Sequence, residues 1–336
     1  MKHWYRAYGL TFFSEYFIPG LLEIADPSSD PDVMFSYRDE PDWVRGARRL
    51  PRRPLRTLPA GQETADVALQ LSAYGEQEYF EIVYSDGSEF LVDACATTIW
   101  GACPSPLVIE DLTTYLVGPV MGFILRRRNM TPLHASTVEI DGCAIALCGA
   151  GGSGKSTTAA ALALRGAPVL CEDVSPMLEE GGNFSVLPGY PRVCLWPDAV
   201  KILLGSEESL PRITPTWEKC YLPLDGRRAR FAVGPRPLSA VYFLEPRVNG
   251  SEAPRIDEIR PGEALMRLVQ NTYMNMLLSR KQRAEEFDVL SRLAGSIAFR
   301  RVLPHSHGTK LGALCDLILE DASKLAGEQR SPASRL

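Results

Sequence analysis

The sequence contains no long apolar run. Its most apolar stretch, residues 115–125, spans 11 residues and is interrupted by Gly118 and Pro119. A helix that crosses a bilayer needs about 20 apolar residues, so this stretch is predicted to be a buried helix and not a membrane anchor. Residues 1–6 lack the basic start, apolar core and cleavage site of a secretory signal, and export is therefore not expected.

The cysteines form no C-x-x-C pair. Several of them stand in apolar, strand-like runs, where a free thiol packs as a small hydrophobic group. We expect all of them to be reduced, which together with the missing export signal predicts a cytoplasmic protein. The eight residues are Cys95, Cys103, Cys143, Cys148, Cys171, Cys194, Cys220 and Cys315.

The chain also lacks an excess of basic residues. Its 36 lysines and arginines stand against 41 acidic residues, which gives a net charge of −5. A basic surface is what attracts nucleic acids and anionic membranes, so neither is expected as a partner. An anionic ligand must instead be held locally. The hydrophobic fraction of 45% is that of an ordinary globular protein, and no disordered class is indicated.

The length of 336 residues exceeds the usual size of one domain, so two hydrophobic cores are expected. Within residues 1–108, two strand-like runs flank an Asp-Gly turn, which predicts a β-hairpin. We predict a β-rich N-terminal domain at 1–108, a linking helix at 109–130, an α/β domain at 131–326 and a flexible tail at 327–336.

Two further segments have distinctive compositions. Residues 45–56 carry six arginines among prolines, which is too polar and too interrupted for a strand or a helix. We predict a solvated loop there, with docking of an acidic partner as the alternative. Residues 255–325 are predicted to be mainly helical, with one helix beginning at Pro261, and to cover the sheet of the second domain.

Residues 149–156 match the phosphate-loop pattern G-x-x-x-x-G-K-[ST] in full. The context agrees, because an apolar strand at 144–148 enters the loop and a helix-forming run at 157–165 leaves it. Glycines let backbone N–H groups converge on phosphate oxygens, and the helix N-terminus adds partial positive charge. The predicted nucleotide-binding residues are Gly149, Gly151, Gly152, Ser153, Gly154, Lys155, Ser156 and Thr157.

The pattern assigns separate roles within this loop. Lys155 is expected to reach the β- and γ-phosphates, and the Ser156 hydroxyl is expected to bind Mg²⁺. ATP and Mg²⁺ are therefore the predicted cofactors. The guanine-specific motif N-K-x-D is absent from the sequence, which argues against a nucleotide hydrolase of that type.

An acidic pair, Glu172 and Asp173, follows the next apolar strand. Asp173 stands 18 residues after Lys155, which is enough chain for one helix and a returning strand. Carboxylates beside a phosphate loop can hold Mg²⁺ or accept a proton from an attacking hydroxyl. Both residues are therefore predicted to be catalytic, and Asp173 is predicted to bind the metal together with Ser156. The alternative is that the pair only caps a loop.

A histidine stands just upstream of a predicted hairpin. The Asp-Gly pair at residues 141–142 separates apolar runs at 135–140 and 143–148, which predicts a tight turn whose second strand enters the phosphate loop. His134 precedes the first of these runs. It is a candidate catalytic residue that contacts phosphate or orients a base, and a purely structural role is the alternative.

These residues together resemble the HPr kinase/phosphorylase superfamily, whose catalytic domain is similar to that of ATP-dependent phosphoenolpyruvate carboxykinase. The resemblance is specific over residues 131–174. It implies an α/β fold with a P-loop nucleotide-binding domain of this type, a catalytic or phosphate-contacting His134, and a base-and-metal role for Glu172 and Asp173. The family's acidic pair usually begins with aspartate, and here its first member is Glu172.

The resemblance is closest to stand-alone HPr-kinase-like proteins found with peptide-modification systems, including lasso-peptide clusters. It implies a kinase domain at 131–326 that transfers the γ-phosphoryl group of ATP to a serine of a precursor peptide. Residues 188–198 replace the glutamate- and glycine-rich signature of true HPr kinases, so HPr is not the expected substrate. Arg192 in this region is a candidate substrate-binding residue, with a solvated arginine as the alternative.

Other functions stay open at this point. One is a kinase for a small hydroxyl compound, and another is a module that senses ATP without transferring phosphate. Lys219 carries the same ambiguity as Arg192. His305 and His307 are predicted to be loop residues and not metal ligands, because no cysteine or carboxylate stands near them. The sequence is compatible with a homo-oligomer and does not identify the phosphate acceptor.

Overall fold

The chain divides into two compact units. In the computed structural model the first unit is Met1–Met130 together with Ile213–Trp217, and the second is Thr131–Arg212 together with Glu218–Leu336. The return of Ile213–Trp217 to the first unit has no counterpart in the sequence prediction. The residues that the structure describes are 2–25, 27, 30–59, 68–205 and 210–330.

In the described part of the chain, the first unit is built on a nine-stranded mixed sheet with three short α-helices. Its strands are β1 (His3–Ala7), β2 (Leu10–Ser14), β3 (Leu22–Glu23), β4 (Val33–Tyr37), β5 (Arg52–Leu58), β6 (Leu69–Tyr74), β7 (Tyr79–Tyr84), β8 (Glu89–Asp93) and β9 (Thr98–Ala102), and its helices are α1 (Asp42–Ala47), α2 (Ile109–Tyr115) and α3 (Met121–Arg127). The strand order is β3-β1-β2-β4-β9-β8-β7-β6-β5. Burial alternates along β2 and β4, as expected where only one sheet face is tightly packed.

The arginine-rich segment at 45–56 is not the solvated loop that its composition predicts. It contributes to α1 and forms most of β5. Ion pairs offset the polarity, since Arg52 lies 2.7 Å from Glu81 and Arg48 lies 2.7 Å from Glu89. Because β5 is at the sheet edge, its charged side chains can reach solvent, and a proline is tolerated better there than in a central strand.

Two predictions in the first unit have clear outcomes. The hairpin is confirmed, because β7 and β8 pair antiparallel around the Asp-Gly turn. The helix predicted at 109–130 forms α2, a π-helical turn at Leu116–Val120, and α3. Non-helical dihedrals at Gly118 beside Pro119 explain the interruption. No helix in the described ranges is both long and apolar enough to span a bilayer.

Among the described residues, the second unit has an eight-stranded sheet, a two-stranded sheet and five α-helices. Its strands are β10 (Thr131–Ile140), β11 (Cys143–Cys148), β12 (Val169–Cys171), β13 (Val174–Glu180), β14 (Asn183–Val186), β15 (Arg192–Leu195), β16 (Cys220–Pro223), β17 (Arg236–Leu244), β18 (Arg255–Glu258) and β19 (Ala298–Leu303), and its helices are α4 (Lys155–Leu164), α5 (Pro197–Leu204), α6 (Pro261–Gln270), α7 (Arg280–Ala294) and α8 (Leu311–Arg330). Seven strands of the larger sheet run in the order β11-β10-β13-β14-β17-β19-β18, its eighth strand, β12, pairs with β10, and β11 also pairs with β17. Strands β15 and β16 pair with each other. The chain thus has a mixed α/β fold.

Buried side chains cover both faces of the larger sheet. In β11, Ile145 and Leu147 join a core with residues of α4 and α8, whereas Ala144 and Ala146 join a second core with residues of α6 and α7. Alternate residues of a strand point to opposite faces. The near-continuous apolar sequence of β11 is therefore that of a strand buried on both sides.

The C-terminal region mixes strands with helices. Helix α6 begins at Pro261 as predicted, but residues 255–325 also contain β18 and β19. Strand β19 pairs parallel with β17 and antiparallel with β18. These strands are easily missed, because β18 has four residues and β19 has six, and segments this short contain too few positions to distinguish a strand period from a helical one. Helix α8 extends through 327–330, and residues 331–336 of the predicted tail lie outside the described residues.

The cysteines allow a direct test of this packing. All eight are free thiols, and Cys95 is the exposed one. Burial raises the pKa of Cys148, Cys171 and Cys194 to about 12, so these three should not react as thiolates at pH 8. We expect a thiol reagent to modify Cys95 first in the native protein and all eight residues in denaturant. The Cys95→Ser variant should lack this first, fast modification. Rapid modification of several cysteines in the variant would contradict the packing.

Candidate functional site

The phosphate loop joins β11 to α4. Three of its glycines have positive φ: +148° at Gly149, +76° at Gly152 and +105° at Gly154, conformations that residues with a Cβ rarely adopt. Lys155 is the first residue of α4 and is 8% exposed. Its Nζ donates hydrogen bonds to the backbone oxygens of Gly149 at 2.7 Å and Ala150 at 3.3 Å. The ammonium group therefore lies against the loop, where phosphate oxygens would replace these acceptors.

Two loop glycines should respond differently to alanine. A Cβ at Gly149 would lie 2.7 Å from the Leu244 backbone oxygen, whereas a Cβ at Gly151 meets nothing within 4 Å. Strain of this kind costs about 1–3 kcal/mol. We expect Gly149→Ala to lower the nucleotide-free melting temperature clearly and Gly151→Ala to leave it almost unchanged. Equal melting temperatures for the two variants would show that the loop does not have this backbone.

Strand β10 positions the acidic pair. Its first part pairs with β13, with His134 opposite Val174, and its second part pairs with β12, with Thr137 opposite Cys171. The two residues between β12 and β13 are Glu172 and Asp173, which therefore lie at the point where β10 changes partner. Asp173 has a φ of +67°, a conformation that Asp tolerates better than most residues. The left-handed kink turns the two carboxylates toward different neighbours.

Glu172 is directed to the start of α4. The Ser156 hydroxyl donates to Glu172 Oε1 at 2.9 Å, and the Tyr190 hydroxyl donates to Glu172 Oε2 at 3.0 Å. The residue is 5% exposed, so its charge is held by hydrogen bonds in a mostly buried place. The predicted neighbourhood of acidic pair and phosphate loop is thus present through Glu172. Tyr190 was not identified from the sequence.

Asp173 belongs to a second cluster. His134 Nε2 lies 3.1 Å from Asp173 Oδ1, and the Tyr273 hydroxyl donates to Asp173 Oδ2 at 2.9 Å. Two backbone bonds fix this arrangement, because His134 N–H donates to Asn271 O and Tyr273 N–H donates to Pro132 O, each at 2.8 Å. The Asp173 side chain is 36% exposed, so a substrate could reach it.

Neighbouring charges act on both Asp173 and Lys219. Burial alone would raise the pKa of Asp173, but the hydrogen bond and charge of His134, the charge of Lys219 and the Tyr273 hydroxyl outweigh it. The pKa of Asp173 is therefore held well below its ordinary value. Burial would lower the pKa of Lys219, and the carboxylates of Glu172 and Asp173 raise it. Ionisable groups whose pKa values are shifted by specific charged partners are typical of functional sites.

Arg192 is the first residue of β15, and Lys219 immediately precedes β16. Arg192 is 5% exposed, and its guanidinium carbon lies 5.2 Å from the ring centroid of Tyr190 and 5.8 Å from that of Tyr221. The alternative of a solvated arginine is therefore wrong. Lys219 Nζ lies 5.6 Å from the ring centroid of Trp196. The Lys219 ammonium group interacts electrostatically with the carboxylates of Glu172 and Asp173 and is repelled by the guanidinium of Arg192.

A basic cleft adjoins the phosphate loop. His305 and His307 lie outside helices and strands, as predicted, but they line this cleft with Ser153, Thr157 and Arg247. His305 Nδ1 accepts a hydrogen bond from the His307 N–H at 2.9 Å. Parallel pairing of β11 with β17 and of β17 with β19 brings His305 and His307 beside the phosphate loop. No local sequence pattern indicates this pairing, so their position could not be predicted.

The residues present fit a phosphate group and a hydrated Mg²⁺. Ser153 Oγ is buried without a hydrogen-bond partner in the described part of the chain, and a phosphate oxygen would satisfy it. The described part of the chain contains no cluster of three or more His, Cys, Asp or Glu side chains that could hold a metal ion. Ser156 and Glu172 offer two oxygen ligands. Mg²⁺ usually keeps several waters and shares the substrate's phosphates, so this small donor set suits it.

Comparison with known proteins adds little to this geometry. No protein-family model and no curated protein matches the chain. Among solved structures, the chain is similar to the Hpr(Ser) kinase/phosphatase from Coxiella burnetii, with a TM-score of 0.30 and 14% sequence identity over 61% of this chain and 98% of that chain. Function must therefore be inferred from the residues of the site itself.

Proposed function

We propose that the protein is an ATP-dependent kinase that transfers the γ-phosphoryl group to a hydroxyl. One arrangement carries the proposal: two adjacent carboxylates beside the phosphate loop have different partners. Glu172 accepts a hydrogen bond from Ser156, and Asp173 contacts His134 and Tyr273. Glu172 is thus placed to hold a metal, and Asp173 is placed separately to accept a proton. Phosphoryl transfer to a hydroxyl requires both functions.

Each residue has a defined task in this proposal. When bound, ATP supplies the phosphoryl group and Mg²⁺ neutralises charge on its phosphates. Lys155 would bind the β- and γ-phosphate oxygens, and Ser156 would hold the metal with Glu172 in place of the Asp173 expected from the sequence. Asp173 accepts the hydroxyl proton as the acceptor oxygen bonds to phosphorus and ADP leaves. His134 orients the Asp173 carboxylate.

For the acceptor we propose a serine hydroxyl of a precursor peptide of the lasso type. Only the resemblance to stand-alone HPr-kinase-like proteins of peptide-modification systems supports this choice, and a small hydroxyl compound is the alternative. Arg192 and Lys219 place positive charge near the acidic pair, which would favour an acceptor that carries an acidic group. A nucleotide-sensing module is less favoured, because sensing does not need an Asp173–His134 pair beside the loop.

Incubation with Mg²⁺ and γ-labelled ATP tests the proposal. The acceptors are serine-containing precursor peptides, the same peptides with serine replaced by alanine, and a panel of small alcohols. Label on peptide serine would support the peptide assignment. Label on a small alcohol alone would transfer the assignment to a metabolite kinase. Binding of ATP without transfer to any acceptor, water included, would contradict the kinase proposal and favour a sensor.

A further inference from the structure

The first unit contains a cavity that the proposed kinase function does not use. Its volume is about 470 Å³, within the usual range of small-molecule sites, roughly 300–1,000 Å³. All of its lining residues belong to the first unit. They are Phe13, Glu15, Tyr16, Met34, Phe35, Ser36, Pro41, Trp43, Tyr79, Asp93 and Thr98.

One row of the nine-stranded sheet forms much of this cavity. Phe13 of β2 is opposite Met34 of β4, and Met34 is opposite Thr98 of β9. Asp93 of β8 accepts a hydrogen bond from the Thr98 N–H at 2.7 Å and is opposite Tyr79 of β7. Residues directly opposite in neighbouring strands share a face. The row therefore crosses five strands, with apolar Phe13 and Met34 at one end and the Asp93 carboxylate next to the Tyr79 ring at the other.

Helix α1 adds an aromatic wall. The Trp43 ring is stacked on the Tyr79 ring, with centroids 5.9 Å apart and an interplanar angle of 23°. Tyr16 is held by an edge-on contact with Tyr37, at a centroid distance of 5.8 Å. These contacts fix three of the lining rings before any ligand arrives, which limits the ordering cost of binding. Met34 is 46% exposed, and its flexible side chain can adapt to an occupant.

The charge of the lining selects the occupant. Two carboxylates, Glu15 and Asp93, line the cavity, and its described lining contains no lysine or arginine. The Asp93 carboxylate is fixed by hydrogen bonds from Thr97 and Thr98. Glu15 is exposed and has no ion-pair partner among the described residues. An anion would be repelled here, and a neutral apolar ligand would leave both charges without a counterion.

From this combination of a cavity, aromatic faces and carboxylates we infer that the first unit binds an organic cation. Aromatic rings attract ammonium and guanidinium groups through the negative charge of the ring face, and nearby carboxylates strengthen that attraction. The same chemistry belongs to a free quaternary amine and to a lysine or arginine side chain of a peptide. The inference does not depend on the kinase activity of the second unit.

Calorimetric titration of the full-length protein tests the inference. The probes are choline, its neutral isostere 3,3-dimethylbutan-1-ol, and N-acetyl-arginine methylamide. We expect at least one cation to bind and the neutral isostere to bind more weakly. Stronger binding of choline would assign a free amine, and stronger binding of the arginine derivative would assign a basic side chain. Equal binding of choline and the isostere, or no binding of either cation, would overturn the inference.

Variants inside and outside the cavity distinguish binding at this site from nonspecific binding of cations to the protein surface. Glu15→Gln and Trp43→Leu should each weaken cation binding roughly 2- to 30-fold, and binding should weaken further as salt is raised. Glu76→Gln changes an exposed carboxylate of the same unit that does not line the cavity, so it should bind as the wild type does. Because Glu15 is at the surface, its substitution should not affect folding. Unchanged affinity in Glu15→Gln would overturn the inference even if Trp43→Leu were unstable.

Discussion

Phosphoryl transfer should fall roughly 10²–10³-fold when Lys155 is replaced by alanine, the loss typical of removing one electrostatic contact to the reacting group. Lys155 is 8% exposed, and its Nζ donates to the Gly149 and Ala150 oxygens. When phosphate oxygens replace those two acceptors, the positive charge of the buried Lys155 ammonium group balances the negative charge of the phosphates. Without it the loop retains its backbone N–H groups but loses its cation, so ATP affinity should fall as well.

The comparison needs a control that removes a lysine elsewhere in the same unit. Lys201 is exposed on α5 and does not belong to the loop, so Lys201→Ala should retain full transfer. Transfer and ATP binding are measured for both variants with γ-labelled ATP and calorimetry. Melting temperatures show whether a loss reflects unfolding. A folded Lys155→Ala protein with normal transfer would remove the phosphate loop from the proposed chemistry.

The parts of the site that are local in sequence could be predicted from it. The glycines, Lys155 and Ser156 occupy one continuous loop, and the flanking β11 and α4 are specified by apolar runs and helix-forming residues. The turn before β11 could be predicted for the same reason, since Asp141 and Gly142 both adopt positive φ. In these places a short sequence determines both the backbone and the residues that bind.

The remaining parts depend on contacts between distant residues. Tyr273 is 100 residues from Asp173, and it reaches the site because residue 272 bridges to Leu133 of β10. The burial of Arg192 depends on the pairing of β15 with β16, which its Pro-rich surroundings do not suggest. Arg52 of β5 pairs with Glu81, which comes later in the chain. Tertiary contacts of this kind override local composition, and one sequence does not reveal them.

Asp173→Asn should separate binding from chemistry. The substitution keeps the size of the side chain, and asparagine tolerates a φ of +67° about as well as aspartate does. It removes the negative charge that His134, Lys219 and Tyr273 favour at this position. Transfer should therefore fall by roughly 10²–10⁴-fold, the usual range for loss of a general base. ATP affinity should change little, because Glu172 and Ser156 remain.

The turn residue Asp141 provides the matched control. It is also an aspartate with positive φ, +50°, and it lies in the β10–β11 hairpin, so Asp141→Asn should retain transfer. Because the pKa of Asp173 is held well below its ordinary value, its carboxylate stays ionised in the wild type from pH 5 to pH 9, and its protonation causes no loss of transfer there. A parallel Glu172→Gln variant should instead raise the Mg²⁺ concentration that half-maximal transfer requires. If Asp173→Asn altered only the Mg²⁺ dependence and Glu172→Gln abolished transfer at saturating Mg²⁺, the two carboxylates would have the opposite roles.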